Sequence, residues 1–140
     1  MQVSVTRRFS VWVTEMALVL LLLAAVTLAV AGDSKQWSRG DDFLLALVWT
    51  AFVFMVGSGY LITTGLLGVF FRSRNPWIYP TLATLLFVVH DQLFYTGWTV
   101  PDLPHVQLQI AGACIVFACT FVGTWILRRW ARSTGSPSSA

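Results

Sequence analysis

Four long apolar runs, at about residues 11–31, 43–71, 77–98 and 105–127, dominate this chain. A helix needs roughly 20 apolar residues to cross a hydrocarbon core, and each run reaches or exceeds that length. Lipid offers no water to bond to, so a spanning segment must satisfy its own backbone N–H and C=O groups, as a helix does. The runs are joined by short polar stretches at 32–42, 72–76 and 99–104, which leave room for turns but not for a second domain. The fold expected is an all-α membrane protein: one antiparallel bundle of four transmembrane helices over residues 1–132. The polar stretch 133–140 is expected to be a disordered tail.

The charges agree with that reading. Only 11% of the residues are charged against 56% hydrophobic, where ordinary domains carry about 25% charged residues. The net charge of +3 sits in short clusters flanking the apolar runs, a topology signal rather than a nucleic-acid footprint. Arg7, Arg8, Arg72, Arg74, Arg128, Arg129 and Arg132 fall on one side. Only Lys35 and Arg39 fall on the other, beside Asp33, Asp41, Asp42 and Asp102. Positive residues stay inside, so both termini are expected in the cytoplasm of a multi-pass protein, in a bacterial inner membrane. Trp12, Trp77, Trp125 and Trp130 near the inner ends, with Trp37, Trp49 and Trp98 near the outer ends, form the two aromatic belts. Ala29-Val30-Ala31 also resembles a signal-peptidase site after a basic lead, but the run is longer than a usual signal core and a retained first helix is expected.

Ionisable groups at membrane depth cost roughly 2.5–3.5 kcal/mol on insertion scales and normally face protein or water. His90, Asp91 and Gln92 sit side by side in the third run, roughly 5–8 Å outward of its middle at 1.5 Å per residue. His105, Gln107 and Gln109 occupy the outer turns of the fourth run, and Asp42, Trp49 and Thr50 those of the second. Polar groups therefore converge on the outer half of the bundle. Neighbours on a helix are about 100° apart, so the triplet suits a two-sided network better than a single dyad, with Asp91 sharing a face with Tyr95. Glu15, in the inner half, is expected to reach Arg7, Arg8 or water.

Tyr60, Thr64 and Gly68 are spaced i, i+4, i+8, a stripe of small and hydroxylated residues expected to let another helix approach closely. Cys114 and Cys119 are separated by roughly 140° on a helix, so they form neither a bridge nor a zinc or redox motif. His90 and His105 are placed about 10 Å apart in depth, too far to share one haem iron. No H-E-x-x-H, G-x-S-x-G, phosphate loop or EF-hand pattern is present.

Two classes of function follow. The preferred one is a non-catalytic subunit or ligand-binding bundle whose outer polar pocket holds a lipid-like or amphipathic partner. Its expected partners are membrane lipid, a hydrophobic small molecule, and further copies or subunits. The alternative is a small membrane enzyme in which His90 and Asp91 are catalytic acid and base for isomerisation, cyclisation or epoxide opening. A proton-coupled transporter is a weaker third reading. Substrate-binding residues are then Gln92, Tyr95, Trp49, Thr50 and Gln109, with no metal and no cofactor.

Overall fold

The computed structural model describes residues 4–31, 58–72, 75–93 and 103–133, together with Leu44 and Val48. Among these residues there are four helices and no strand: α1 (Val5–Ala31), α2 (Ser58–Val69), α3 (Ile78–Asp91) and α4 (Leu103–Ser133). Two segments, Val5–Thr27 and His105–Ser133, are long and apolar enough to cross a membrane, and the described parts of α2 and α3 are shorter apolar helices. Both long helices exceed the apolar runs. α1 begins at Val5, taking in Arg7 and Arg8, and α4 continues through Arg128-Arg129-Trp130-Ala131-Arg132 to Ser133. Arginine is a good helix former, so a polar end prolongs these helices instead of stopping them.

Side-chain contacts give the directions. Along α1, Arg7 meets Trp130 and the Gly112 backbone lies beside Leu23, so α1 and α4 run antiparallel. Arg8 Nη1 donates to the Val69 carbonyl at 3.2 Å and Trp12 packs on Gly65, so α2 is antiparallel to α1. Tyr60 meets Phe87 and Gly68 meets Tyr79, which reverses α3 against α2, and Trp77 packs on Phe121 while Asp91 meets His105, which reverses α4 against α3. Each helix packs on its neighbours in sequence and α4 closes on α1, forming a ring of four. The start of α1 and the end of α4 thus share one end of the bundle. We call it the basic end, since Arg7, Arg8, Arg72, Arg128, Arg129 and Arg132 lie there.

The inward faces follow helical spacing. α1 turns in Trp12, Glu15, Met16, Val19 and Leu23; α2 turns in Tyr60, Thr64 and Gly68; α3 turns in Tyr79, Ala83, Phe87 and His90. α4 contributes Gly112, Val116, Thr120, Gly123, Thr124 and Leu127, small residues for the most part. The buried hydroxyls of Thr64, Thr120 and Thr124 donate to the carbonyls four residues back at 2.6–2.8 Å, so they enter the core already satisfied. The Tyr60, Thr64, Gly68 stripe is an interhelical contact: Gly68 lies under the Tyr79 hydroxyl and the Trp12 ring. In the turn before α3 the Asn75 side-chain oxygen accepts from the Trp77 backbone N–H at 3.0 Å, and Pro80 sits in the first turn of the helix, where a missing donor is harmless. Cys119 packs against the core, whereas Cys114 is exposed; both are free thiols.

Two glycines separate close packing from open space. A Cβ on Gly112 would stand 2.6 Å from Phe87 Cζ and 3.1 Å from Leu23 Cδ2, while one on Gly59 would meet nothing within 4 Å. Gly112→Ala is expected to destabilise the protein by about 1–3 kcal/mol through overpacking. Gly59→Ala is expected to be neutral or to stabilise by up to about 1 kcal/mol, by restricting the unfolded backbone. Unfolding midpoints of the two purified variants check both values; equal effects would show that α4 does not pack on Phe87 as described.

Candidate functional site

Among the described residues, ionisable side chains gather into two clusters, one towards each end of the bundle. The first is at the basic end and brings all four helices together. Glu15 projects from the inward face of α1, and Arg72, just after α2, places Nη2 at 2.5 Å from its Oε1. Both side chains are buried, with 5% of Arg72 and 4% of Glu15 exposed. Tyr79 of α3 donates its hydroxyl to Glu15 Oε2 at 3.4 Å, and the Thr64 carbonyl stands 3.5 Å from that hydroxyl. The Arg72 guanidinium carbon lies 4.1 Å from the centre of the Tyr79 ring, in cation–π contact. Arg72 Nε and Nη1 have no hydrogen-bond partner among the described residues, so that ring face stands where another acceptor would be. Space for the carboxylate comes from α4: a Cβ on Gly123 would collide with it.

This corrects the expectation for Glu15. It does not reach back to Arg7 or Arg8 and is not solvated; it turns inward to a cation from the far end of α2. Arg7 instead stacks over Trp130, and Arg8 bonds the Val69 carbonyl. Arg72, Tyr79 and Gly123 were not singled out from the sequence. The signal available was that Glu15 lies on the same helical face as Trp12 and Val19, so a carboxylate there points into the bundle.

The second cluster lies at the opposite end, between α3 and α4. Asp91 Oδ2 is 2.9 Å from His105 Nε2 and accepts from Gln109 Nε2 at 2.8 Å. Residues 105 and 109 are one turn apart on α4, so both side chains reach the same oxygen. This pair is more open than the first, with 23% of His105 and 13% of Asp91 side chain exposed. His90 is buried and turns to α2, its ring centre 5.8 Å from that of Tyr60. His90 and Asp91 therefore serve different neighbours, as their 100° separation requires. The histidine beside Asp91 is His105, from the outer turns of the fourth run.

Of the other residues expected at a site, Gln92 is half-buried at the end of α3 and Gln107 is exposed. Trp49, Thr50 and Tyr95 lie outside the described residues. Among the described residues, no group of three or more His, Cys, Asp or Glu side chains gathers to hold a metal ion.

No family of known proteins matches this chain, and neither a curated protein nor a solved structure gives a significant match.

Glu15→Ala leaves the Arg72 guanidinium buried without its counter-charge and is expected to lower stability by about 3–5 kcal/mol. The apolar double replacement Glu15→Leu with Arg72→Met is expected to recover most of that loss. Gly123→Ala should destabilise the wild type by displacing the carboxylate, yet be tolerated when Glu15 is already Ala. Chemical unfolding of the single and double variants measures the coupling; strictly additive losses would mean that these residues do not form one cluster.

Proposed function

We propose that this chain is an integral membrane protein of four spans, with both termini cytoplasmic, acting as a non-catalytic subunit or ligand-binding bundle. Its polar site in the outer half, Asp91 with His105 and Gln109, takes the polar end of a lipid-like or amphipathic molecule. Several features support the membrane part. All four helices carry large apolar side chains outward, among them Leu18, Leu22, Ile62, Leu66, Leu85, Ile110 and Val122. Large apolar side chains exposed on every described helix are natural for a lipid-facing protein. The first described residues and the last lie at one end with the arginines, in keeping with the positive-inside rule.

The observation that carries the binding reading is the placement of Asp91. Both α4 donors fall on its Oδ2, in a cluster that is only partly closed. A carboxylate held from one side retains acceptor capacity for a donor arriving from the other, and Gln92 stands beside it. Interhelical polar contacts in membranes average only about 0.6 kcal/mol, so such a cluster is a weak reason by itself to keep an acid at this depth.

One contact favours the enzyme alternative: the 2.9 Å approach of His105 to Asp91, the geometry by which a carboxylate orients a base. In that reading the acid–base pair is Asp91 with His105, acting on a hydrophobic substrate, and His90 is not part of it.

Reporter fusions test the topology. Green fluorescent protein after Ala140 should fluoresce and alkaline phosphatase after Ser38 should be active; the opposite pattern sinks the assigned orientation. For the site, Asp91→Asn and His105→Ala should each cost less than about 1 kcal/mol, by the weak-contact argument. Both should remove small molecules that mass spectrometry detects in organic extracts of the purified wild type. If stability instead collapses with each change, and the losses do not add, the cluster only ties α3 to α4.

A further inference from the structure

We propose that the Asp91 site binds the primary ammonium head of a cationic amphiphile, with Asp91 Oδ1 as the acceptor. This rests on the ligand-binding reading above and names the class of head that the site takes. Both protein donors fall on the other oxygen: His105 Nε2 stands 2.9 Å from Oδ2, and Gln109 Nε2 donates to it at 2.8 Å. No donor among the described residues reaches Oδ1. A carboxylate has about four acceptor positions, two on each oxygen, so those of Oδ2 are taken and those of Oδ1 are open. The group is thus held in one orientation from the α4 side, with 13% of its side chain exposed.

Charge decides which kind of donor completes the site. Gln109 offers a neutral amide, and an imidazole can donate through Nε2 whether or not it is protonated, so neither contact requires a cation from the protein. Among the described residues, every arginine lies at the opposite end of the bundle and there is no lysine. His90, next to Asp91 on α3, is turned to Tyr60. An uncompensated carboxylate is costly at membrane depth, and hydrogen bonds between ionised partners are roughly twice as strong as neutral ones. A primary ammonium supplies both the charge and the N–H donors on one compact group. A hydroxyl supplies only the donor, and a quaternary ammonium only the charge. The neighbouring surface suits a tail. One turn toward the basic end, Val88 lies on the Asp91 side of α3 and Ala113 on the Gln109 side of α4, both half-buried. Val89 and Ile110, next to the site, are exposed. An alkyl chain leaving the head in that direction lies on apolar side chains.

The test follows thermal unfolding of the purified chain in a neutral detergent with equal mole fractions of dodecylamine, dodecanol or dodecyltrimethylammonium, at about pH 7, where an alkylamine is charged. The three share one tail and differ only in the head. Dodecylamine is expected to raise the unfolding midpoint several degrees more than either of the others, and Asp91→Asn should lose at least half of that excess. The ranking is read in the wild type alone, so it does not depend on how the variant folds. An equal shift from dodecanol would overturn the ammonium site in favour of a neutral hydroxyl head and leave the ligand-binding reading standing. An equal shift from dodecyltrimethylammonium would overturn it in favour of charge alone, and an excess retained in Asp91→Asn would place the amine elsewhere. Lys35 and Arg39, on the connection between the first two runs, are tested as occupants. A loss of stability in K35Q/R39Q that vanishes in the Asp91→Asn background would make the head one of the chain's own cations and overturn the site. If none of the three amphiphiles shifts the wild type more than Asp91→Asn, the ligand-binding reading falls with it.

Discussion

A carboxylate and a guanidinium taken out of water together set the terms for the rest of this bundle. Desolvating such a pair costs several kcal/mol per ion even after relaxation, and the attraction offsets this only when geometry and hydrogen bonds are good. Here the pair is enclosed by parts drawn from every helix: Glu15 from α1, Arg72 after α2, Tyr79 from α3 with its ring face against the guanidinium, and the bare backbone of Gly123 on α4. The consequence is register. Leu, Val and Phe surfaces tolerate sliding, because one apolar contact replaces another. A slip of one turn between α1 and α4 would set Thr120 or Leu127 where Gly123 leaves room for the Glu15 carboxylate. Buried ion pairs are weak contributors to stability, and fixing register is a role they fill well.

The two ends of the molecule differ in kind. At the basic end the ions are enclosed and close-packed against glycine. At the opposite end Asp91, His105 and Gln109 form a looser contact that remains partly open. Between them lies an apolar layer of Val19, Leu23, Phe87 and Val116, with Tyr60 and His90 at its edge.

Much of the helical architecture was legible from the chain. The apolar runs announced the helices, and the i, i+4, i+8 spacing of Tyr60, Thr64 and Gly68 announced a contact face, because both signals depend only on residues near each other in sequence. Partners were harder. Arg8 looked available to Glu15, but they are two turns apart, about 10 Å along the axis, while Arg72 arrives from the side. His105 and Asp91 share the outer half by sequence, but depth counted along an axis does not say which side chains lean together. Gly123 carried no visible message at all: a glycine in an apolar run reads alike whether it faces lipid or a carboxylate.

By itself, then, the sequence determined that this chain forms apolar helices and that Asp91 requires polar company. Those properties follow from backbone hydrogen-bond saturation and the apolar length of each run, and both are local. Only the tertiary structure decided which charges meet. When a helix is apolar all round, its sequence leaves the rotation about its own axis nearly undetermined. The lateral pairing of Glu15 with Arg72, and of Asp91 with His105, depends on that rotation in several helices at once.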